Sequence, residues 1–286
     1  MNTTIDKPTT DFTYDDYQAR QHFSISSDTI QKQSKILTCA DNFVFEEDEW
    51  TINPYRGFAV VTVVNNNSGN RYLKKSLALI KDYFNEQLNK HETYFMLPSD
   101  SYHQTIANTL SEKRYVDNLE KKGYVSIFPE MTGKVFSRIH LEKRNKPVTM
   151  NMIGLNIFGT CIALLGVFKD VADYHTIRSF REQFYNDPDL KDLDVKWTRP
   201  FVGHITLAYL GREISGKERI ALAKTINDIN STIDFSEAVF HIDNAELRSY
   251  TDLSCFQSKP EYPHFKFFIH PSCKVRDSKM GSEKYC

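Results

Sequence analysis

The sequence predicts an α+β protein of two similar lobes. Each is a mainly antiparallel sheet with helices on the outside, and the two face each other across a central cleft. Three observations predict this. Short apolar, β-branched runs alternate with amphipathic stretches through residues 51–270. A His-x-Thr triplet sits in two strand-like runs, His103-Gln104-Thr105 and His204-Ile205-Thr206, 101 residues apart, about one small lobe. Each half also runs strand, helix, His-x-Thr strand, then further helix and strands. Beyond that order no residue-level repeat is present.

Residues 1–50 are rich in Thr, Asp, Gln and Ser. They read as an extension that packs on the domain or is partly disordered, with 15–35 permitting a helix of poor apolar periodicity. Phe58–Val64 is β-branched and apolar, hence a central strand. The Asn-rich segment 65–70 is a loop, and 71–89 a helix with Leu73, Leu77, Ile80, Phe84 and Leu88 on one stripe. Thr93–Leu97 and His103–Ala107 read as strands about a bend at Pro98. Glu112–Lys122 is a short helix ended by Gly123. Tyr124–Phe128 and Lys134–Leu141 read as strands. The charged connector 142–147 marks the lobe boundary, giving lobe one at about 51–146 and lobe two at about 147–270.

Val148–Phe158 and Thr160–Phe168 are two strands turning at Gly159. Asp170–Tyr185 is a helix, with Asp170, Asp173 and Glu182 read as a solvated face. His204–Leu210 is the second His-x-Thr strand. Ser215-Gly216-Lys217-Glu218 is a capping box opening a helix. Ala238–Leu247 and His264–Ile269 are the last strands, and 271–286 a polar tail.

Composition excludes several classes. Lys plus Arg is 36 against 37 for Asp plus Glu, a net charge of −1. That argues against a broad basic surface for long duplex nucleic acid, but leaves room for a nucleotide or short oligonucleotide held by a local positive patch. Five scattered cysteines with no C-x-x-C fit neither a disulfide framework nor a zinc knuckle. The polar start lacks a signal-peptide core, and the apolar run 148–168 is broken by Asn151, Asn156 and three glycines. No H-E-x-x-H, P-loop, G-x-G-x-x-G or G-x-S-x-G pattern occurs. A cytoplasmic monomer with no membrane contact, no metal and no cofactor is expected.

A strand alternates its side chains, so His and Thr two places apart share a face. Two such pairs would be costly polar insertions in a core unless they line a cleft. The stretches Arg199-Pro200-Phe201-Val202-Gly203-His204-Ile205-Thr206-Leu207-Ala208-Tyr209 and Leu97-Pro98-Ser99-Asp100-Ser101-Tyr102-His103-Gln104-Thr105-Ile106 resemble the two-histidine phosphoesterase superfamily. This superfamily includes 2′-5′ RNA ligase-like proteins, cyclic nucleotide phosphodiesterases and RNA-end-processing enzymes. The Arg199–Tyr209 stretch is a close match, and the Leu97–Ile106 stretch is similar to a little-characterised branch of it. The likeness spans about 55–268.

The resemblance implies a metal-independent phosphodiesterase acting on a nucleotide or RNA-derived, often cyclic, diester. His103 and His204 would face each other, one neutral imidazole as general base and the other, protonated, as general acid. Thr105 and Thr206 would donate hydrogen bonds to the non-bridging phosphate oxygens. Which histidine is base is left open. Tyr55, Arg56 and Arg199 are candidate substrate contacts. By alternation Tyr102 and Tyr209 point away from the cleft. The first 50 residues and 129–146 are expected to shape its rim. The alternatives are a non-catalytic nucleotide-binding module of the same fold and 2′-5′ RNA end joining.

Overall fold

The structure, a computed structural model, describes residues 12–88 and 92–268. It is α+β, with two five-stranded antiparallel sheets and a two-stranded ribbon. From residue 12 the N-terminal segment packs on the rest. Helices α1 (Tyr14–Ser24) and α2 (Ser27–Ile36) are capped by the side chains of Thr13 and Ser26 and bury Tyr17 and Ile30. Strands β1 (Phe43–Glu46) and β2 (Glu49–Ile52) form the ribbon. The poor periodicity of α1 has a physical reason: two of its anchors, Tyr17 and Gln21, bury polar atoms. The Tyr17 hydroxyl and the Gln21 amide both donate to the Gly166 carbonyl, and Gln21 also donates to the Gly203 carbonyl at 2.8 Å.

Strand β3 (Gly57–Val63) is buried at every position, which requires ladder partners on both edges. After two 3₁₀ turns over 64–70 comes α3 (Arg71–Leu88), then β4 (Tyr94–Met96) and β5 (His103–Ser111). Helix α4 (Glu112–Tyr115) runs on into a single π turn, Val116–Glu120, and the chain turns at Gly123 with φ of 72°. Next is α5 (Phe128–Arg138), where strands were expected. Pro129 stands at its first turn, and Phe128, Thr132, Val135 and Phe136 are buried at helical spacing, so the apolar period there is helical.

Strands β6 (Val148–Phe158) and β7 (Cys161–Phe168) form the expected hairpin about Gly159, whose φ is 50°. Helix α6 (Val171–Asn186) is capped by Asp170. Asp173 corrects the solvated-face reading: it is fully buried, accepts from the Thr149 N–H and hydroxyl at 3.1 and 2.7 Å, and pairs with Arg144. The charged connector is thus fastened to α6. Helix α7 (Pro188–Asp192), β8 (His204–Leu210) and α8 (Gly216–Thr232) follow, the last with its capping box formed. The strand expected over 238–247 is two strands, β9 (Val239–Ile242) and β10 (Asn244–Asp252), which part at Asp243 into different sheets. Strands β11 (Cys255–Gln257) and β12 (His264–Lys266) close the described chain. The expected tail, 271–286, lies outside the described residues.

One sheet has the order β11-β10-β3-β5, with β12 also on β10; the other has β4-β8-β7-β6-β9. The connector at 142–147 therefore does not divide the sheets. β4 precedes it yet pairs with β8, while β10 follows it yet supplies the second ladder of β3. Among the described residues no helix is long and apolar enough to cross a membrane.

Candidate functional site

The two His-x-Thr strands touch, and a cavity of about 590 Å³ opens beside them. His103, Thr105, His204 and Thr206 all line it, together with Tyr55 and Arg199. The two strands carry the same irregularity. Opposite β3, Thr105 pairs with Val61 and Ala107 with Val60, so Ile106 is an extra residue. Opposite β7, Thr206 pairs with Ala163 and Ala208 with Ile162, so Leu207 is the extra residue. Each is a β-bulge directly after the threonine. An extra residue reverses the alternation beyond it, so Asn108 and Tyr209, three places after their threonines, return to the cavity face. This corrects the expectation for Tyr209, which the bulge turns inward. Tyr102, ahead of the bulge, is buried in the core as alternation requires.

Each imidazole is held in the same way. His103 Nδ1 lies 2.7 Å from the Ser101 carbonyl and His204 Nδ1 2.9 Å from the Val202 carbonyl. A carbonyl only accepts, so Nδ1 carries the proton and Nε2 is the basic nitrogen of each ring. A phenyl ring flanks each: Phe256 at 4.1 Å from His103 and Phe158 at 5.9 Å from His204, centroid to centroid. Gln104, fully buried, crosses between the strands. Its Oε1 accepts from the His204 backbone N–H at 2.5 Å, and its Nε2 donates to the Val202 and Thr105 carbonyls.

Burial makes both imidazoles hard to protonate. His103 is brought down to about 4, mainly by burial, with the charges of His204 and Arg248 adding to it. His204 is lowered by burial and by Arg199. Cys161, behind Thr206, is pushed up to about 12 by burial and stays a thiol. Among the described residues no three His, Cys, Asp or Glu side chains converge in a metal-holding cluster.

Arg56 is not part of this wall. It is exposed, pairs with Glu120 and does not line the cavity. Segment 129–146 supplies no lining residue either; Leu253 and Phe256, around the turn between β10 and β11, do so instead, and Asn42 represents the N-terminal segment. Gln104, Asn108, Arg181, Phe158 and Phe256 were missed in the sequence. Only Gln104 carried a signal there, a buried amide inside an apolar strand.

No family model and no curated protein matches the chain. Among solved structures it is similar to a conserved protein of unknown function from Agrobacterium tumefaciens, with a TM-score of 0.55 and 15% identity over 80% of this chain and 91% of that one. At that identity the likeness is one of fold.

Proposed function

We propose that the chain is a metal-independent phosphodiesterase of the two-histidine kind, acting on a nucleotide or RNA-derived cyclic phosphodiester held between two lobes that face each other. The observation that carries this is the convergence of both His-x-Thr pairs on one cavity with matching bulges and matching imidazole tautomers. In the reaction, water attacks phosphorus of a 2′,3′-cyclic phosphate and one phosphorus–ribose oxygen bond breaks. One neutral imidazole of the pair His103 and His204 takes the water proton on Nε2, and the other, protonated, gives a proton to the leaving ribose oxygen. Thr105 and Thr206 donate to the two non-bridging oxygens as charge builds there. The product is a phosphate monoester.

Two imidazoles and two hydroxyls account for every proton and for the anion, so the step needs no metal. A monomer in the cytoplasm is the setting this reading assumes, in keeping with the free thiols of Cys39, Cys161 and Cys255. The test is turnover of 2′,3′-cyclic mononucleotides. The His204→Ala variant is expected to lose about 10²–10⁴-fold in rate. Tight binding of nucleotide without turnover in the wild type would instead establish a binding module.

A further inference from the structure

Among the described residues the cavity lining holds two guanidinium groups, Arg181 and Arg199, and no carboxylate. Arg199 is built into place. Its carbonyl accepts from the buried Arg181 and from the Trp197 indole, each at 3.0 Å. Arg181 in turn donates to the carbonyl of Ile106, the bulge residue of β5, at 2.6 Å. The backbone at Arg199 is thereby fixed against the strand that carries Thr105. Its side chain is exposed and makes a long contact of 3.5 Å with the Asn108 amide oxygen. No salt bridge to Arg199 is found among the described residues. Its charge reaches His204, Cys161, Tyr209 and Tyr250, groups on both sheets.

A guanidinium set over a cavity without carboxylates fits an anionic oxygen cluster, which it binds through two parallel N–H donors. Across the bulge Thr105 and Asn108 pair with Val61 and Ala59, two residues apart on β3, so they stand about 7 Å apart along the strand. That is farther than the oxygens of one phosphate span. We infer that the substrate carries a second anionic group, a phosphate monoester one ribose away from the scissile diester, and that Arg199 receives it. On the phosphodiesterase reading, on which this rests, the substrate class is a nucleoside 2′,3′-cyclic phosphate bearing a 5′-phosphate.

The test is titration calorimetry with adenosine 2′-monophosphate and adenosine 2′,5′-bisphosphate, which requires no turnover. Wild type is expected to bind the bisphosphate about tenfold tighter or more, and Arg199→Gln to bring the ratio of the two affinities to about one. Equal affinities in the wild type, or a ratio kept in Arg199→Gln, would overturn the inference. Absence of cyclic phosphate turnover with an Arg199-dependent ratio would remove the hydrolase reading and leave the second anion site standing.

Discussion

Gln104 on β5 accepts a hydrogen bond from the backbone N–H of His204 on β8, at 2.5 Å, so one buried amide spaces the two imidazoles. Its amide nitrogen donates to the Val202 carbonyl at 3.1 Å, the same carbonyl that orients the His204 ring. The Gln104→Met variant keeps the volume and removes these bonds together with the one to the Thr105 carbonyl. A buried N–H left without a partner costs about 1–3 kcal/mol. Urea unfolding is expected to show that loss. The rate on cyclic nucleotide is expected to fall more than the KM changes, because ring position matters at the transition state. Unchanged stability and rate would show that the amide has no such role.

The rate should depend on pH in a particular sense. One imidazole must be neutral to act as base and the other protonated to act as acid, and burial lowers both from 6.5, His103 to about 4. The kcat/KM profile is therefore expected to be bell-shaped, with its maximum on the acid side of 6.5. A maximum above pH 8 would contradict these acid and base roles.

Stability has its own pH dependence from the same rings. Both are harder to protonate folded than unfolded, so between 6.5 and about 4 the unfolded chain binds more protons. Stability from this source is complete above 6.5 and is lost as pH falls through that window, on the order of 3 kcal/mol from His103 alone. Chemical denaturation at pH 7 and pH 5 should show a smaller drop in a His103→Gln, His204→Gln double variant than in wild type.

Asp173 is fully buried and pairs with Arg144, which is itself only 10% exposed in its side chain. Removing one member of such a pair leaves the other charge buried, at a cost of about 3–5 kcal/mol. Asp173→Leu is expected to unfold at correspondingly lower urea. Replacing both residues, Arg144→Met with Asp173→Leu, should recover much of the loss. Equal losses in the single and double variants would refute the pairing argument.

Much of this fold could be read from the residues, and the failures have physical causes. β3, β6, β7 and α8 followed from β-branching, a glycine turn and a capping box. α5 was mistaken for strands because Tyr124, Val125, Ile127 and Phe128 are strand-rich types, while the buried spacing of 128, 132, 135 and 136 is helical. The switch at Asp243 is a matter of which ladder has a vacancy, which depends on distant strands. At the site, His103, Thr105, His204 and Thr206 were visible by alternation. Asn108 and Tyr209 were not, because a bulge changes parity without changing composition.

Gln21 and Gly203 are 182 residues apart, yet the amide of the first caps the carbonyl of the second, one residue before an imidazole. Translation runs from the amino end, so the earlier partner waits roughly 10–35 s for the later one. The Gly166 carbonyl, which accepts from Tyr17 and Gln21, emerges before Gly203, so β7 offers α1 a surface ahead of β8. The second histidine strand is thus the later of the two partners to be fastened to that upstream helix.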